Sequence, residues 1–327
     1  MDAKALQRLD LFAENTYGAK DGFFWQDSSI RRLAALLYAA QDRAMDVTAI
    51  RQCMDLIKRS AGIFSYFRGN FALVMATQLS LCADPETVLH RTLQVYDAMK
   101  QTGFRSSDYL VIASHQIASA APADATDTVV RRAKAFYTGM RSDHFLLTGQ
   151  DDYIFAAMLG LSDIDVSSGV ERLEREYQAL RPEFIFTSGS GIQALAQVLV
   201  LGGESPDAHR RVMALRQHLR QAGLRLDRSD TLSSLGVLAL LPTAVDVLAA
   251  EVEETAGTLR AKKGFSGWSV QKEELLLHSA ALVAYHYVDQ ARRGVLQSAL
   301  STSIANILIA QQSAVAASTA ASAATPG

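Results

Sequence analysis

The sequence predicts an all-α protein built from seven αα-hairpin repeats of about 40 residues each. One observation is a small or turn-forming residue followed by a large apolar residue, which recurs at a nearly constant step. These pairs are Gly22-Phe23, Gly62-Ile63, Gly103-Phe104, Glu183-Phe184, Gly223-Leu224 and Gly264-Phe265, with Asp143-His144-Phe145 in the remaining position. A second observation is that the segments between the pairs have helical periodicity, and none sustains the alternation of a β-strand. Tandem hairpins of this kind form an open α/α solenoid or a closed α/α toroid, and the sequence leaves both open.

Each repeat is predicted to contain two different helices. The first is apolar on every side, as in Ile154–Leu159 or Ala194–Leu199, which is typical of a helix buried on every side. The second has a single apolar stripe, with charged residues opposite it. Examples of the stripe are Val170, Leu173, Tyr177 and Leu180, and later Val212, Leu215 and Leu219. We therefore expect an inner layer of first helices and an outer, hydrated layer of second helices.

Turn residues separate the predicted helices. Asp84-Pro85 precedes one second helix, where proline suits the first helical turn. Basic residues and then glycine follow the second helices, as in Lys100 to Gly103 and Lys262 to Gly264, which indicates a C-terminal cap. Asp163-Ile164-Asp165 lies in such a turn, and we interpret it as a cap.

The ends of the chain differ from its middle. We predict a lead-in helix at 1–22, the repeat domain at 23–296 and a capping helix at 297–312. Residues 313–327 are rich in alanine and serine, and we expect a flexible tail there. The alternative for this tail is close helix packing through its small residues.

Composition bounds the partners and the compartment. With 49% hydrophobic residues, 20% charged residues and a net charge of −2, the chain has ample core and no overall basic character, so we expect no nucleic-acid partner. The blocks Arg131-Arg132 and His209-Arg210-Arg211 are interpreted as solvated helix surface. The 2 cysteines provide neither a disulfide framework nor metal-ligand spacing. We see no secretory signal and no membrane span, and therefore expect a cytoplasmic protein of unknown oligomeric state.

Polar residues cluster where the predicted inner helices begin, and they are the candidate ligand-binding residues. They are Arg68, Asn70, Asp108, Asp151, Asp152, Tyr153, Asp230 and Glu274. Most can be explained as helix caps or as a hydrogen-bonded network between hairpins. However, one carboxylate suffices to cap a helix, so the adjacent pair Asp151 and Asp152 needs a second reason.

The functional alternative is that these side chains converge at one end of a cavity. Carboxylates with a nearby arginine can hold a divalent cation, bind a polar substrate or act as acid and base. Asp151 and Asp152 are the candidate metal ligands, although no motif requires a cofactor, and no nucleotide-binding, zinc-protease or nucleophile-elbow motif is present. We interpret His115 and His278 as hydrogen-bonded core histidines.

Aromatic residues crowd the loops that precede the inner helices. Phe23, Phe24, Trp25, Phe184 and Phe186 are examples. We expect them to plug the ends between hairpins, because large rings bury much apolar area. The alternative is an apolar mouth that receives a ligand.

Two segments resemble a bacterial family catalogued as domain of unknown function 4003. They are Gly62 to Asn70, reading GIFSYFRGN, and Phe145 to Ala157, reading FLLTGQDDYIFAA. The resemblance extends over nearly the whole chain and includes Ala310-Gln311-Gln312 in the Ala/Ser-rich end. Members of the family often have proline after Asp-Asp-Tyr, where this chain has Ile154. The resemblance implies a helical bacterial protein and supplies no activity.

Two classes of function therefore remain. The first is a non-catalytic repeat protein that binds another protein or a small ligand. The second is an enzyme on a closed toroid, with or without metal assistance, that acts on an isoprenoid-like or glycan-like substrate and whose site lies where the inner helices begin. That second reading rests on analogy with other helical toroids.

Overall fold

Every regular element that the structure describes is helical. The computed structural model describes residues 1–290 except 63–64, 144–145, 204 and 268. These ranges contain fourteen α-helices and two short 3-10 helices, Tyr66–Arg68 and Ala123–Ala125. The predicted all-α class is confirmed. The predicted capping helix at 297–312 and the predicted tail at 313–327 lie outside the described residues.

The even-numbered helices are the apolar ones. They are α2 (Ser28–Ala40), α4 (Ala72–Ser80), α6 (Asp108–Ala120), α8 (Asp152–Leu161), α10 (Gly189–Leu201), α12 (Leu232–Leu240) and α14 (Lys272–Gln290). Helix α8 buries every residue from Asp152 to Gly160, and α12 buries every residue from Leu232 to Ala239. A helix that is apolar on all sides gains free energy from burial in every direction, so these helices form the interior of their units.

The odd-numbered helices each bury one stripe. They are α1 (Ala3–Gly22), α3 (Val47–Ser60), α5 (Pro85–Gln101), α7 (Thr126–Asp143), α9 (Val166–Leu180), α11 (Ala208–Gln221) and α13 (Val245–Ala261). In α11 the buried residues are Ala208, Val212, Leu215 and Leu219, and the last three match the predicted stripe. Apart from Met213 and Ala214, the remaining positions of α11 carry arginine, histidine and glutamine, so most of its outer face is polar.

The chain divides into two compact units. Unit 1 comprises Met1–Phe24, Ala35–Met45 and the described chain from Glu176 onward; unit 2 comprises Trp25–Ala34 and Asp46–Arg175. Within unit 1, α1 packs against α13 and α14. Lys262 and Asp10 form an ion pair at 2.6 Å, and the rings of Phe12 and Phe265 lie 5.2 Å apart in an edge-on arrangement. The N-terminal helix is therefore held by helices from the far end of the described chain.

Helix ends have the predicted chemistry. Pro85 occupies the first turn of α5, after Asp84 accepts a bond from the amide of Thr87. Gly103 and Gly264 follow α5 and α13 with φ of 89° and 90°, a backbone conformation that glycine adopts without a Cβ penalty. Asp165 accepts a hydrogen bond from the amide of Ser168 at 3.0 Å, so its interpretation as a cap is confirmed.

One feature of the helix ends contradicts the sequence analysis, which placed Arg132 and Arg211 on solvated surface. Arg132 of α7 donates to the carbonyl oxygens of residues 160, 162 and 164, at 3.1, 2.7 and 2.6 Å. Arg211 of α11 donates to the carbonyls of residues 239, 241 and 243, at 2.7, 2.6 and 2.6 Å. In both sets the acceptor residues follow the arginine in the sequence by 28, 30 and 32 residues.

We call this arrangement the arginine clamp. The last carbonyls of an α-helix have no partner within the helix, and a guanidinium group supplies several donors at once. Each clamp ties an odd-numbered helix to the end of the even-numbered helix that follows it. Arg91 of α5 makes a single bond of the same kind, to the carbonyl of Ala121 at 2.7 Å. The neighbours Arg131 and Arg210 remain exposed, as predicted for the blocks as a whole.

Candidate functional site

The first part of the candidate site lies in unit 2, at the beginning of α6. Ser107 caps this helix, since its Oγ accepts a hydrogen bond from the amide of Leu110 at 3.2 Å. Asp108 is the next residue, and it does not serve as the N-cap. The capping explanation, which covers most polar residues at helix starts, therefore does not account for Asp108.

The Asp108 carboxyl lies in a poorly solvated position. Its Oδ1 atom is buried and accepts no hydrogen bond from the described residues, and within those residues the carboxyl forms no ion pair. Desolvation raises the pKa of Asp108, while the backbone amides of Phe71 and Asn70 partly oppose that rise. A Cβ at Gly69 would overlap Oδ1, so only glycine at that position leaves room for the carboxyl.

The second part of the site is the beginning of α8. Asp151 precedes the helix but makes no side-chain capping bond, and burial raises the pKa of its carboxyl. Asp152 is buried and accepts a hydrogen bond from the amide of Gly149 at 2.8 Å. Asp152 therefore fixes the turn before the helix, whereas the Asp151 carboxyl interacts with the backbone amides of residues 151 and 152, which partly oppose the rise of its pKa.

Tyr109 connects the two helix beginnings. Burial first, and then the negative charges of Asp151 and Asp108, raise the pKa of its phenol to about 12. The ring of Tyr109 packs edge-on against that of Phe71, at 6.1 Å between centroids. We call Asp108, Tyr109 and Asp151 the acid cluster. Two carboxyl groups whose pKa values are raised, next to a protonated phenol, can accept hydrogen bonds from a ligand or exchange protons with it.

Arg68 and Asn70 do not complete this cluster as the sequence suggested. The Arg68 guanidinium donates to the carbonyl of Ala61 at 2.8 Å and also to that of Lys58, so it covers the end of α3. The Asn70 side chain is exposed, and only its backbone amide interacts with Asp108. The predicted partnership of an arginine with the acids is therefore replaced by a helix C-cap.

Tyr153 has a packing role in unit 2. Its ring is buried and stacks edge-on against Phe104 at 4.8 Å and against Tyr137 at 5.0 Å. The phenol oxygen accepts a hydrogen bond from the amide of Arg105 at 3.2 Å. Tyr153, which the sequence offered as a candidate ligand-binding residue, is thus occupied by contacts within the core of unit 2.

The two remaining candidates belong to unit 1. Asp230 is half-buried before α12, where Thr231 forms the turn by bonding to the amide and the carbonyl of Arg228. Glu274 is buried in the first turn of α14, and its Oε1 lies 3.4 Å from Nε2 of His278. His278 is fully buried, as expected of a core histidine.

Among the described residues, Asp151 and Asp152 are not joined by further ligands for a metal ion. In the described part of the chain no group of three or more histidine, cysteine, aspartate or glutamate side chains is placed to hold a metal ion. The acid cluster offers two carboxyl groups and a phenol. It is thus better matched to hydrogen-bond donors on an organic ligand than to a cation that needs six or more oxygen ligands.

A second candidate site, in unit 1, was not predicted from the sequence. Asp227 is buried, and three arginines surround its carboxylate: Arg220 at 2.5 Å, Arg225 at 3.3 Å and Arg216 at 3.4 Å. Burial alone would raise the pKa of Asp227, but the hydrogen bonds and charges of Arg220 and then Arg225 lower it. One negative charge is therefore shared by three positive ones.

The loop between α9 and α10 lies beside these arginines. Arg216 stacks over the ring of Phe184 at 4.5 Å and donates to the carbonyl of Glu183 at 2.8 Å. On the other side of the loop, the Thr187 hydroxyl donates to the carbonyl of Asp227 at 3.4 Å. The loop is thus fixed on both sides of residues 185 and 186.

Ile185 and Phe186 form the tip of this loop and face solvent. Their relative exposures are 76% and 103%, whereas Phe184 is 1% exposed. The plugging role predicted for loop aromatics is correct for Phe184 and wrong for Phe186.

We call Ile185, Phe186, Arg216, Arg220 and Arg225 the arginine surface. A cavity of about 600 Å³ opens beside it along α11 and includes Met213 and Ala214 in its lining.

Comparison with known proteins places the chain in a family. Residues 17–314 match the model of the family described as Protein of unknown function (DUF4003), and the chain belongs to that family. The resemblance seen in the sequence is thereby confirmed. Neither a curated protein nor a solved structure matches the chain. No helix formed by the described residues combines the length and the hydropathy needed to cross a bilayer.

Proposed function

We propose that this chain is a non-catalytic scaffold that binds another protein, and that the arginine surface is a contact region. The observation that supports this most is the exposure of both Ile185 and Phe186 at the tip of a loop that is fixed on both sides. An exposed aromatic beside arginines is the composition of an interface core, since aromatic residues and arginine are enriched there.

The energetics favour binding over chance exposure. Burying one large apolar side chain stabilises a protein by about 1.5–3 kcal/mol, a gain that is forgone at both tip positions. The loop is held by bonds at Glu183 and Thr187, so little conformational entropy would be lost when a partner covers it. A fixed apolar tip is therefore already arranged for contact.

The wider architecture in this proposal is a helical-repeat array. We propose that the alternation of apolar and striped helices continues as seven αα-hairpins in an α/α solenoid or a closed toroid, and that the protein acts in the bacterial cytoplasm. The alternation of buried even-numbered and striped odd-numbered helices supports the repeat. Small-angle X-ray scattering separates the two forms, because an open solenoid has a larger maximum dimension than a ring of the same mass.

Site-specific photo-crosslinking tests the scaffold proposal. The photoreactive p-benzoylphenylalanine replaces Phe186 in one variant and the exposed Gln52 of α3 in a control. In cells of the source organism, position 186 should capture a discrete protein that position 52 does not capture. Equal capture at the two positions, or capture of no protein at 186, would contradict the proposal.

A second candidate function is an acid–base enzyme or small-ligand binder at the acid cluster. It is favoured by one observation, namely that Asp108 and Asp151 have raised pKa values and no capping role. Native mass spectrometry of the freshly purified chain tests it. A co-purifying small molecule that is lost from Asp108→Asn would support this function, and unchanged occupancy in that variant would reject this site.

Metal assistance at the acid cluster is tested separately. A bound divalent cation stabilises the native state by mass action, so millimolar Mg²⁺ should raise the melting temperature of the wild type if the cluster holds the ion. The Asp151→Asn variant serves as the control for nonspecific salt effects. A melting temperature that does not respond to Mg²⁺ would contradict binding of this ion at the acid cluster.

A further inference from the structure

We infer that the arginine surface recognises an acidic segment of a partner protein that carries at least one large apolar side chain. This inference rests on the proposed scaffold function and specifies the chemistry of the partner. It follows from three features of unit 1, namely the charge around Asp227, the apolar loop tip and the cavity along α11.

The charge comes from arginines that are fixed but incompletely neutralised. Arg220 and Arg225 are 46% and 57% exposed at their side chains, although both contact Asp227. Each guanidinium has five N–H donors, and one carboxylate cannot use all of those that three arginines present. Donors therefore remain directed at solvent, where a carboxylate of a partner can bind in a bidentate manner.

The apolar contribution comes from two places that lie side by side. Ile185 and Phe186 project from the loop, and Met213 and Ala214 line the cavity beside α11 together with Arg216 and Arg220. Arg216 links the two places, because it lines the cavity and also stacks over Phe184 at the base of the loop. A partner that matches this surface needs an apolar side chain next to its acidic groups.

The surroundings of the arginine surface favour a protein segment over a nucleic acid. Glu183 lies in the same loop, and Asp207 and Glu273 occupy neighbouring elements, where they pair with Arg210 at 2.8 Å and Arg228 at 2.9 Å. A polyanion with one charge per nucleotide would meet these acids, whereas a peptide with a few spaced carboxylates would not.

A random 12-residue peptide library displayed on phage tests the inference with the full chain. Selected peptides should be enriched in aspartate and glutamate next to leucine, isoleucine, phenylalanine or tryptophan. A selected peptide, labelled with a fluorophore, should bind at least tenfold more weakly to the Arg220→Gln/Arg225→Gln double variant. It should bind at least fivefold more weakly to Phe186→Ser, and its affinity should fall when NaCl is raised from about 50 to 200 mM.

Matched controls distinguish surface chemistry from misfolding. Arg131→Gln removes an exposed arginine of α7 whose guanidinium bonds only to Thr128 among the described residues, and it should leave peptide affinity unchanged. The double variant keeps amide donors beside Asp227, and its circular dichroism spectrum should equal that of the wild type. The inference is overturned if the selected peptides are not acidic, or if the double variant binds them as tightly as the wild type does. It is also overturned if single-stranded oligonucleotides or anionic phosphatidylserine vesicles bind the wild type more tightly than the selected peptides do.

The two proposals fail in different ways. Capture of a protein at position 186 combined with non-acidic selected peptides would retain the scaffold and reject the acidic partner. Absence of any captured protein would reject the scaffold, whatever the peptides show.

Discussion

Replacing Arg211 with methionine should remove the arginine clamp of unit 1 while retaining much of the apolar stem. The wild-type guanidinium donates to three carbonyl oxygens at and beyond the end of α12, at 2.6–2.7 Å. Methionine cannot donate a hydrogen bond, so all three interactions are lost. The adjacent Arg210 provides a matched control, since it is 77% exposed and pairs only at the surface with Asp207.

The expected magnitude follows from this geometry. A hydrogen bond to a charged group contributes about 1.5–3 kcal/mol, but carbonyls near a helix end can regain water when the arginine is lost. Counting about 1 kcal/mol for each of the three bonds, we expect Arg211→Met to lower the free energy of unfolding by about 3 kcal/mol. Arg210→Met should cost at most about 0.5–1 kcal/mol, the usual value of an exposed ion pair.

Urea unfolding followed by circular dichroism measures this difference. The midpoint should fall in Arg211→Met without a change in the dependence of the free energy on urea, which would show that only stability has changed. For a chain of 327 residues, an unfolding entropy of about 2.1 cal/mol/K per residue converts 3 kcal/mol into a fall of about 4 °C in melting temperature.

Equal stability of the two methionine variants would refute the reasoning, because the clamp would then contribute no more than a surface ion pair. The same comparison can be made in unit 2 between Arg132 and Arg131. Agreement between the units would show that the shared spacing of 28, 30 and 32 residues reflects one stabilising device.

Three further predictions concern buried groups. Asp108→Asn should raise the free energy of unfolding at pH 7 by about 1 kcal/mol, because the raised pKa of the carboxyl means that its ionisation opposes folding. This gain in stability should vanish as the pH falls below about 4, where the wild-type carboxyl is protonated in both states. A loss of stability at pH 7 would show that the carboxylate has a structural role instead. Burial lowers the pKa of His115 to about 4, so the stability that its neutral form contributes is complete above pH 6.5 and is lost as the pH falls through 4. On acidification, the free energy of unfolding should therefore fall by up to about 3 kcal/mol less in His115→Gln than in the wild type. Gly160→Ala should lower stability, since a Cβ at that position would lie 2.8–2.9 Å from backbone atoms of α7. Gly257 of α13 faces open space, so Gly257→Ala should raise stability by about 0.5–1 kcal/mol. Calorimetry measures both melting temperatures, and equal shifts in the two variants would contradict this prediction.

Local patterns in the sequence predicted the features that depend on local chemistry. The stripe of Val212, Leu215 and Leu219 is buried as its spacing requires, and Gly103 has the positive φ expected after a helix. These features are determined within one or two helical turns, so they can be recognised from neighbouring residues alone.

Features that depend on distant partners were not predictable in the same way. Arg211 and Arg210 are adjacent and chemically identical, yet only Arg211 meets carbonyls about 30 residues away. The α-helical step of about 100° per residue directs two neighbours to different surroundings, and composition does not show which one faces a helix end. Within each arginine block, the member that forms the clamp could have been recognised only from its spacing. Arg132 and Arg211 precede the end of a predicted inner helix by the same number of residues.

The sequence pointed to acids at the beginnings of α6 and α8, but it did not indicate Tyr109 or the contacts that each acid makes. A pair of acids at the start of α8 indicated a surplus carboxylate, and neither acid caps the helix: Asp152 accepts a bond from the turn before it, and Asp151 makes no side-chain capping bond. Asp108 could not be separated from Ser107, because both residue types cap helices well. Phe186 could not be separated from Phe184, since exposure depends on how the loop is tied to the segment around Asp227.

The positions of the arginines on α11 make stability and partner binding separable. Arg211 contacts the end of α12, while Arg216 and Arg220 contact Asp227 and line the cavity beside the loop tip. Because these groups share no hydrogen-bond partner, their effects should be nearly additive. Arg211→Met should therefore lower stability without changing the peptide affinity of the folded chain, whereas Arg220→Gln should lower the affinity and, because Arg220 is the main partner of the buried Asp227 carboxylate, also lower stability. If Arg211→Met also weakened peptide binding, helix α11 would be acting as one coupled element, and the arginine surface could not be treated as an independent binding region.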